Sequence, residues 1–423
     1  MATRTFSGEG GCMGKRGGSL AVVLIFAAGI FLALPIAGQT FTVLHTFSSG
    51  ADGATPYGTL TLDAAGNLYG TASAGGFTGN NCAATGCGTV FKLAHRGSGW
   101  LFTPLYAFQG NTDANSPLAG VTVGPNGSLY GTTQYGGASN DGAVYNVRPP
   151  AHATGSFLGG WSDTLIYSFA GGEDGANPQY GSLVFDSAGN MYGTTENGGV
   201  QCSDSNYCGT MFELSPAGGG WTRSSAYAFP GNSNGSNPVS GVVLDSSGNL
   251  YGTTPFAAFN GVAYKLSRTQ QGWVETSLYQ FLFGVFPYGG VILGPPGVIY
   301  GTTLDTVYEL ALSEGQWNYD ILYVFSGTYG PWAGLTQDAS GNLYGTSCND
   351  GAHGDGSVFK LTPSGNEWTT TILYSFTGGT DGYCPKAAVT VDASGNLFGA
   401  ASAGGLQGGC GGAGCGTVWE ITP

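Results

Sequence analysis

Charged side chains are scarce in this chain: 9% of its 423 residues, with 11 Lys and Arg against 25 Asp and Glu. The formal net charge is −14, and no Lys/Arg cluster occurs beyond residue 38, so the cationic face that neutralises phosphates is missing and nucleic acid is excluded as a partner. Histidine is as rare, with four residues. His45 and His95 sit in or beside strand-like runs and His152 follows a Pro-Pro loop, which leaves an acyl-transfer centre almost no base to draw on. No window of a dozen residues after position 40 has apolar residues at helical spacing, which excludes helical and helix-layered folds. Past Leu34 no stable membrane insertion is expected.

Glycine, by contrast, is abundant at 79 residues. On composition alone that suggests disorder, but 13% of the residues are aromatic and the glycines fall at turns and in recurring aromatic-glycine steps. One such step is Asn67-Leu68-Tyr69-Gly70-Thr71, and others centre on Tyr130, Tyr192, Tyr251, Tyr300, Tyr344 and Phe398, a period of roughly 50 residues that marks stacked supersecondary units. Three more landmarks keep step. A small apolar run precedes each step, as in Gly181-Ser182-Leu183-Val184-Phe185. A Gly-Thr-Val-Phe-Lys-Leu type run follows it, as in Gly88 to Leu93, and then a Trp opens a run ending in Tyr-x-Phe, as in Trp161 to Phe169. All four are short, rich in Val, Tyr, Phe, Thr and Trp, and bounded by Gly, Asn, Asp or Pro, as strands are. We name them A, B, C and D in chain order.

Seven such units predict an all-β fold, a seven-bladed β-propeller of four-stranded antiparallel blades. Phe41 to Phe47 reads as a D strand with no A, B or C before it, and the sequence stops just after a C strand, at Thr422-Pro423. The N-terminal strand is therefore expected to complete the last blade and close the ring. Residues 39–423 then form a single domain. Residues 1–38 read as a signal peptide: Lys15 and Arg16, the apolar run Leu20 to Leu34, then Pro35-Ile36-Ala37-Gly38. Translation from Met13 would make that signal compact, and residues 1–12 add only Glu9 and a lone Cys12. A secreted, periplasmic or cell-surface monomer is expected.

Cysteine usage agrees with export. Cys82/Cys87, Cys202/Cys208 and Cys410/Cys415 repeat one close pair at one place, the B–C loop before strand C, and predict three local disulfides. Cys348 and Cys384 lie in loops on one side of the ring and are candidates to bridge two blades.

The words Gly189 to Thr195, Gly356 to Leu361, Trp161 to Phe169 and Gly171 to Pro178, recurring in fixed order over residues 40–423, resemble the GloVer tandem-repeat family of exported bacterial proteins. The resemblance implies an exported or surface-associated repeat protein without an agreed activity. Members of that family often carry a C-terminal surface anchor. This sequence ends on a strand, so release to the periplasm or outside is expected.

For a site, the A–B turns are poor candidates. Asp63, Asp186, Asp245, Asp338 and Asp392 open them in the pattern Asp-x-x-Gly-Asn, which is turn chemistry, and Gly124-Pro125-Asn126-Gly127 and Gly294-Pro295-Pro296-Gly297 replace it elsewhere. The D–A and B–C loops share the other face and vary in length, with a lower wall expected at blades 4 and 5. That face is the candidate ligand surface, carrying Asp52, Asp113, Asp174, Asp381, Glu196 and Tyr135 with the exposed aromatics Phe256 and Phe259. Asp350, His353 and Asp355 form a weak candidate metal or acid/base loop. No cofactor is expected, and Ca²⁺ on the D–A aspartates is a weak alternative to turn formation, since no Asp-x-Asp-x-Asp spacing occurs. Three functions fit: a binding or adhesion module for a small molecule or glycan, which needs no catalytic group; a glycan-degrading hydrolase or lyase using loop carboxylates; and a structural envelope scaffold.

Overall fold

The Thr, Tyr, Trp and Phe of the repeated words reach across from one blade to the next, and those contacts make the architecture. The structure is a computed structural model. It describes residues 39–423 apart from 80, 83, 98, 151–159, 204–205, 257–260, 327–329, 366 and 407–409. The signal-peptide and Met13 expectations, His152 and Phe259 lie outside the described residues.

Seven four-stranded antiparallel sheets follow one another round the ring. In blade 1 strand A is Thr61–Leu62, B is Leu68–Ala72, C is Thr89–Arg96 and D is Gly99–Ala107. Blade 7 takes A from Thr390–Val391, B from Leu397–Ala401 and C from Thr417–Thr422, and its D is Thr40–Thr46 from the other end of the chain. Thr40 pairs with Thr422 and Thr46 with Thr417, so the ring closes as the sequence predicts. Residues 39–423 make one compact unit.

Each word has a structural reason. The glycine of the aromatic-glycine step lies under the strand-C aromatic: a Cβ on Gly70 would sit 2.5 Å from the Phe91 ring, and one on Gly399 2.2 Å from Trp419. The Thr that follows donates to a carbonyl just ahead of the next blade's strand A, as Thr71 does to Ala119 (2.8 Å) and Thr194 to Ser240 (2.8 Å). Nearer the axis, Thr61 and Thr122 donate to Val121 and Leu183 of the next blade. The step's aromatic ring meets the next blade's Trp, as in Tyr192 with Trp273 (5.8 Å) and Tyr300 with Trp368 (5.6 Å).

The Phe of Tyr-x-Phe packs edge-on against the strand-C aromatic of the next blade, at Phe108–Tyr145, Phe169–Phe212, Phe229–Tyr264, Phe281–Tyr308, Phe325–Phe359, Phe376–Trp419 and, across the closure, Phe47–Phe91. The core accordingly falls into seven clusters, each shared by two adjacent blades. Edge-on aromatic pairs add stabilisation beyond the area they bury.

The A–B aspartates are turn residues. Asp63 accepts from Ala65 N (2.9 Å), Asn67 N (2.8 Å), Asn67 Nδ2 (2.8 Å) and the Tyr69 hydroxyl (3.1 Å), and Asp186, Asp245 and Asp338 repeat the set. Disulfides join Cys82–Cys87, Cys202–Cys208 and Cys410–Cys415 within their loops, and Cys348–Cys384 bridges blades 6 and 7.

Candidate functional site

Antiparallel order puts the D–A and B–C loops on one face, where they pin each other: Ala54 pairs with Ala74, Ala176 with Asn197 and Tyr383 with Ala403. The four D–A aspartates build that frame. Asp52, Asp113, Asp174 and Asp381 each accept the main-chain N–H four residues earlier, from Ser48, Gln109, Ala170 and Thr377, all at 2.8 Å. Asp113, Asp174 and Asp381 also accept the hydroxyl of the Tyr seven residues earlier, where Asp52 meets His45. Arg223 of the next blade adds a charge-assisted bond to Asp174. These carboxylates close loops, which narrows what they can offer a ligand. Tyr135 is exposed on the same face, in a short strand paired with Asn115.

The weak metal loop does not assemble. Asp350 is buried and accepts from Ser326 Oγ at 3.1 Å, while His353 is exposed. Among the described residues no three His, Cys, Asp or Glu side chains gather to hold a metal ion.

What the loops surround is more informative. A Pro opens the run into each strand A: Pro56, Pro117, Pro178, Pro238, Pro287, Pro331 and Pro385. The residue after it is Tyr57 in blade 1, Tyr288 in blade 5, Trp332 in blade 6 and Lys386 in blade 7, and these four reach the axis. Blade 3 has one residue more between its Pro and strand A, and it adds Tyr180. Together they line a cavity of about 360 Å³. Its wall also carries Gly181, Ser182, Gly241, Gly289 and Gly334, small residues that leave the space open.

Ring centroids lie 5.3 Å apart for Tyr288–Trp332 and 6.2 Å for Tyr57–Tyr180. Lys386 Nζ stands 5.1 Å from the Tyr57 ring centre and 5.0 Å from that of Trp332, a double cation–π arrangement. Burial holds its ammonium below the usual lysine range. Glu196, from the blade 3 B–C loop, accepts a bond from Gln179, the neighbour of Tyr180, and burial raises its carboxyl against that bond. Aromatic surface continues outward over blades 4 and 5, where Phe256 lies 5.8 Å from Phe286 and 6.3 Å from Tyr288, with Leu282 and Phe283 exposed beyond.

Of the sequence-predicted site residues, Glu196 stands beside this mouth and Phe256 lies against its Tyr288. The aromatic set and Lys386 were missed. Their signal was the Pro-x register, where residue type changes from blade to blade while the Pro recurs. A larger cavity, about 640 Å³, lies on the opposite face between blades 4 and 5. Its polar groups have structural partners there: Asp245 closes its turn and Lys265 stands over Tyr251.

Two half-buried carboxyls lie in the outer blade interfaces. Asp163 and Glu275 each sit two residues after a landmark Trp, where other blades place Phe102, Tyr319 or Arg223 against the preceding blade. Burial, then the neighbouring Asp113 carboxylate, raises Asp163 well above the usual range. Burial raises Glu275 to about 7, against the bond it accepts from Tyr227. Both therefore take up protons on folding, so their stabilisation is complete in acid and is lost as pH rises through the folded values. Burial lowers His45, which works in the opposite sense below its ordinary 6.5. Stability is expected to fall by on the order of 2 kcal/mol between pH 6.5 and 8.5, and Asp163→Asn should flatten most of that slope. Denaturant midpoints at several pH values check it, and a stability that rises over that interval would contradict the placement of both groups.

Three consecutive matches to the model of the Gloeobacter/Verrucomicrobia repeat span residues 25–158, 158–306 and 304–423. The chain belongs to this family. No curated protein sequence matches this Gloeobacter/Verrucomicrobia repeat protein. Among solved structures it is similar to the extracellular domain of a hybrid two-component system from B. thetaiotaomicron, at TM-score 0.53 and 12% identity, over 91% of this chain and 41% of that one. A second such domain from the same organism matches at TM-score 0.53 and 11% identity, over 90% and 39%. The repeat protein thus spans about two fifths of those chains, and at such identities the likeness shows the propeller fold alone.

Proposed function

We propose that this chain is an exported propeller module that binds a glycan at the axial mouth of its D–A/B–C face. The observation that carries the proposal is the mouth itself. Tyr57, Tyr180, Tyr288 and Trp332 converge from four blades on a cavity whose lining contains no carboxylate. Amphipathic rings with a polar edge suit the alternating C–H and hydroxyl faces of a sugar, and a concave aromatic site with few polar groups is the usual form of a small-ligand pocket. The Phe256–Phe286–Tyr288 surface would extend such contact along an oligosaccharide. Four disulfides support an oxidising, extracytoplasmic setting. The two neighbouring solved domains are extracellular, which agrees with that setting. Hydrolysis by paired carboxylates lacks its pair in the mouth lining, which favours binding over turnover.

A glycan array followed by calorimetry on the hits tests the proposal. Trp332→Ala and Tyr288→Ala are expected to weaken binding at least tenfold, and Tyr135→Ala to leave it unchanged. Equal loss from Asp186→Asn and Asp245→Asn in folded protein would put the site on the opposite face. Release of reducing ends or unsaturated sugars from the same hits would reassign the mouth to catalysis.

A further inference from the structure

The lysines of strand C repeat one arrangement: Lys92, Lys265 and Lys360 each lie over the Tyr of their own blade's aromatic-glycine step, at 5.3, 5.7 and 5.6 Å. Lys386 breaks the pattern. It occupies the Pro-x position of blade 7, at the mouth, half-buried between Tyr57 and Trp332. Among the described residues no carboxylate pairs with it, whereas Arg223 and Arg268 have Asp174 and Glu213. A cation withdrawn from water without a counter-charge is costly, and in a cavity the missing counter-charge can come from a ligand. Tyr57 and Trp332 flank the ammonium at the cavity wall, and a planar anion held in the cavity would supply the missing charge.

We propose that the mouth takes a glycan bearing a single carboxylate, a uronic acid at one end of otherwise neutral sugars, with the carboxylate on Lys386 Nζ and the neutral sugars on Trp332 and Tyr288. This rests on the glycan proposal above. The limit to one carboxylate follows from charge: the chain carries −14, and a polyuronate would bring its further carboxylates over a surface of like sign. One cation at the axis compensates one anion. Glu196 stands beside the mouth, at Gln179 and near Tyr180, and suits sugar hydroxyls, where a second carboxylate would be repelled.

The probe is a disaccharide of glucuronic acid on a neutral hexose, compared with its uncharged methyl ester. Both are titrated into the full protein by calorimetry and tryptophan fluorescence at low and moderate salt. The acid is expected to bind about tenfold tighter than the ester, with the difference shrinking as salt rises. Lys386→Met keeps the side-chain length without the charge and should make acid and ester equal. Trp332→Ala should weaken both.

An ester that binds as tightly as the acid, or a Lys386→Met protein that still prefers the acid, overturns the inference and leaves the glycan mouth standing. A long polyuronate that binds tighter still overturns the single-carboxylate limit. If neither probe binds while neutral sugars bind in a Trp332-dependent way, the carboxylate assignment is wrong. If no sugar binds at all, the glycan proposal falls with it.

Discussion

Protein lacking residues 41–47 is expected to aggregate or to unfold without a cooperative transition. The segment is strand D of the closing blade, paired along Thr417–Thr422. Its side chains belong to two blade interfaces at once: Phe41 stacks on Tyr374 at 3.7 Å, His45 on Phe102 at 3.7 Å, and the fully buried Phe47 meets Phe91 at 5.4 Å. Each large apolar side chain returned to water costs about 1.5–3 kcal/mol, against a typical net stability of about 5–15 kcal/mol. The bare strand C left behind would present an unpaired edge to other molecules. Light scattering and calorimetric melting are the checks. A truncated protein that melts like the parent would mean that the ring is not closed by its N-terminus.

Phe169→Ala is expected to cost about 3–5 kcal/mol, the range for removing a large buried aromatic. Phe169 is fully buried between Tyr167 of its own blade (5.2 Å) and Phe212 of the next (5.1 Å), in the cluster that joins blades 2 and 3. Backbone pairing within each sheet prevents the neighbouring strands from collapsing into the gap. Phe283→Ala, at a ring 80% exposed, is the matched control and should move stability by less than about 0.5 kcal/mol. Guanidinium unfolding reports both, and a loss below about 1 kcal/mol at Phe169 would show that the inter-blade aromatic contacts do not hold the ring.

The propeller was legible because its words repeat and because a residue type keeps one job from blade to blade wherever it recurs. Gly70 must be small beneath Phe91, Thr71 must reach Ala119, and Asp63 must close its turn. The orphan strand at Phe41 to Phe47 pointed to the closure, and a close Cys pair recurring before strand C pointed to the local disulfides. The D–A aspartates show where such reading fails. An Asp in a variable loop looks the same whether it waits for a ligand or caps its own loop. The constant step of seven from Tyr106 to Asp113, Tyr167 to Asp174 and Tyr374 to Asp381 was the available clue to the second role. The mouth was harder still, since its residues come from blade 1 and from blades 3 to 7. Only closure of the ring brings Tyr57 beside Lys386. Which side chain after the Pro reaches the mouth depends on the length of the run into strand A, such as the extra residue in blade 3 that brings in Tyr180, and composition does not show it.

Hydrogen–deuterium exchange with and without a bound oligosaccharide tests the central claim most directly, because it reports on both faces of the ring in one measurement. Ligand should slow exchange at residues 57–60, 180–183, 286–290, 332–335 and 386–389, which border the mouth, and leave the turns at 63–67, 186–190 and 245–249 unchanged. Protection concentrated on those turns, or spread evenly over the seven blades, would contradict the assignment of function to the axial mouth.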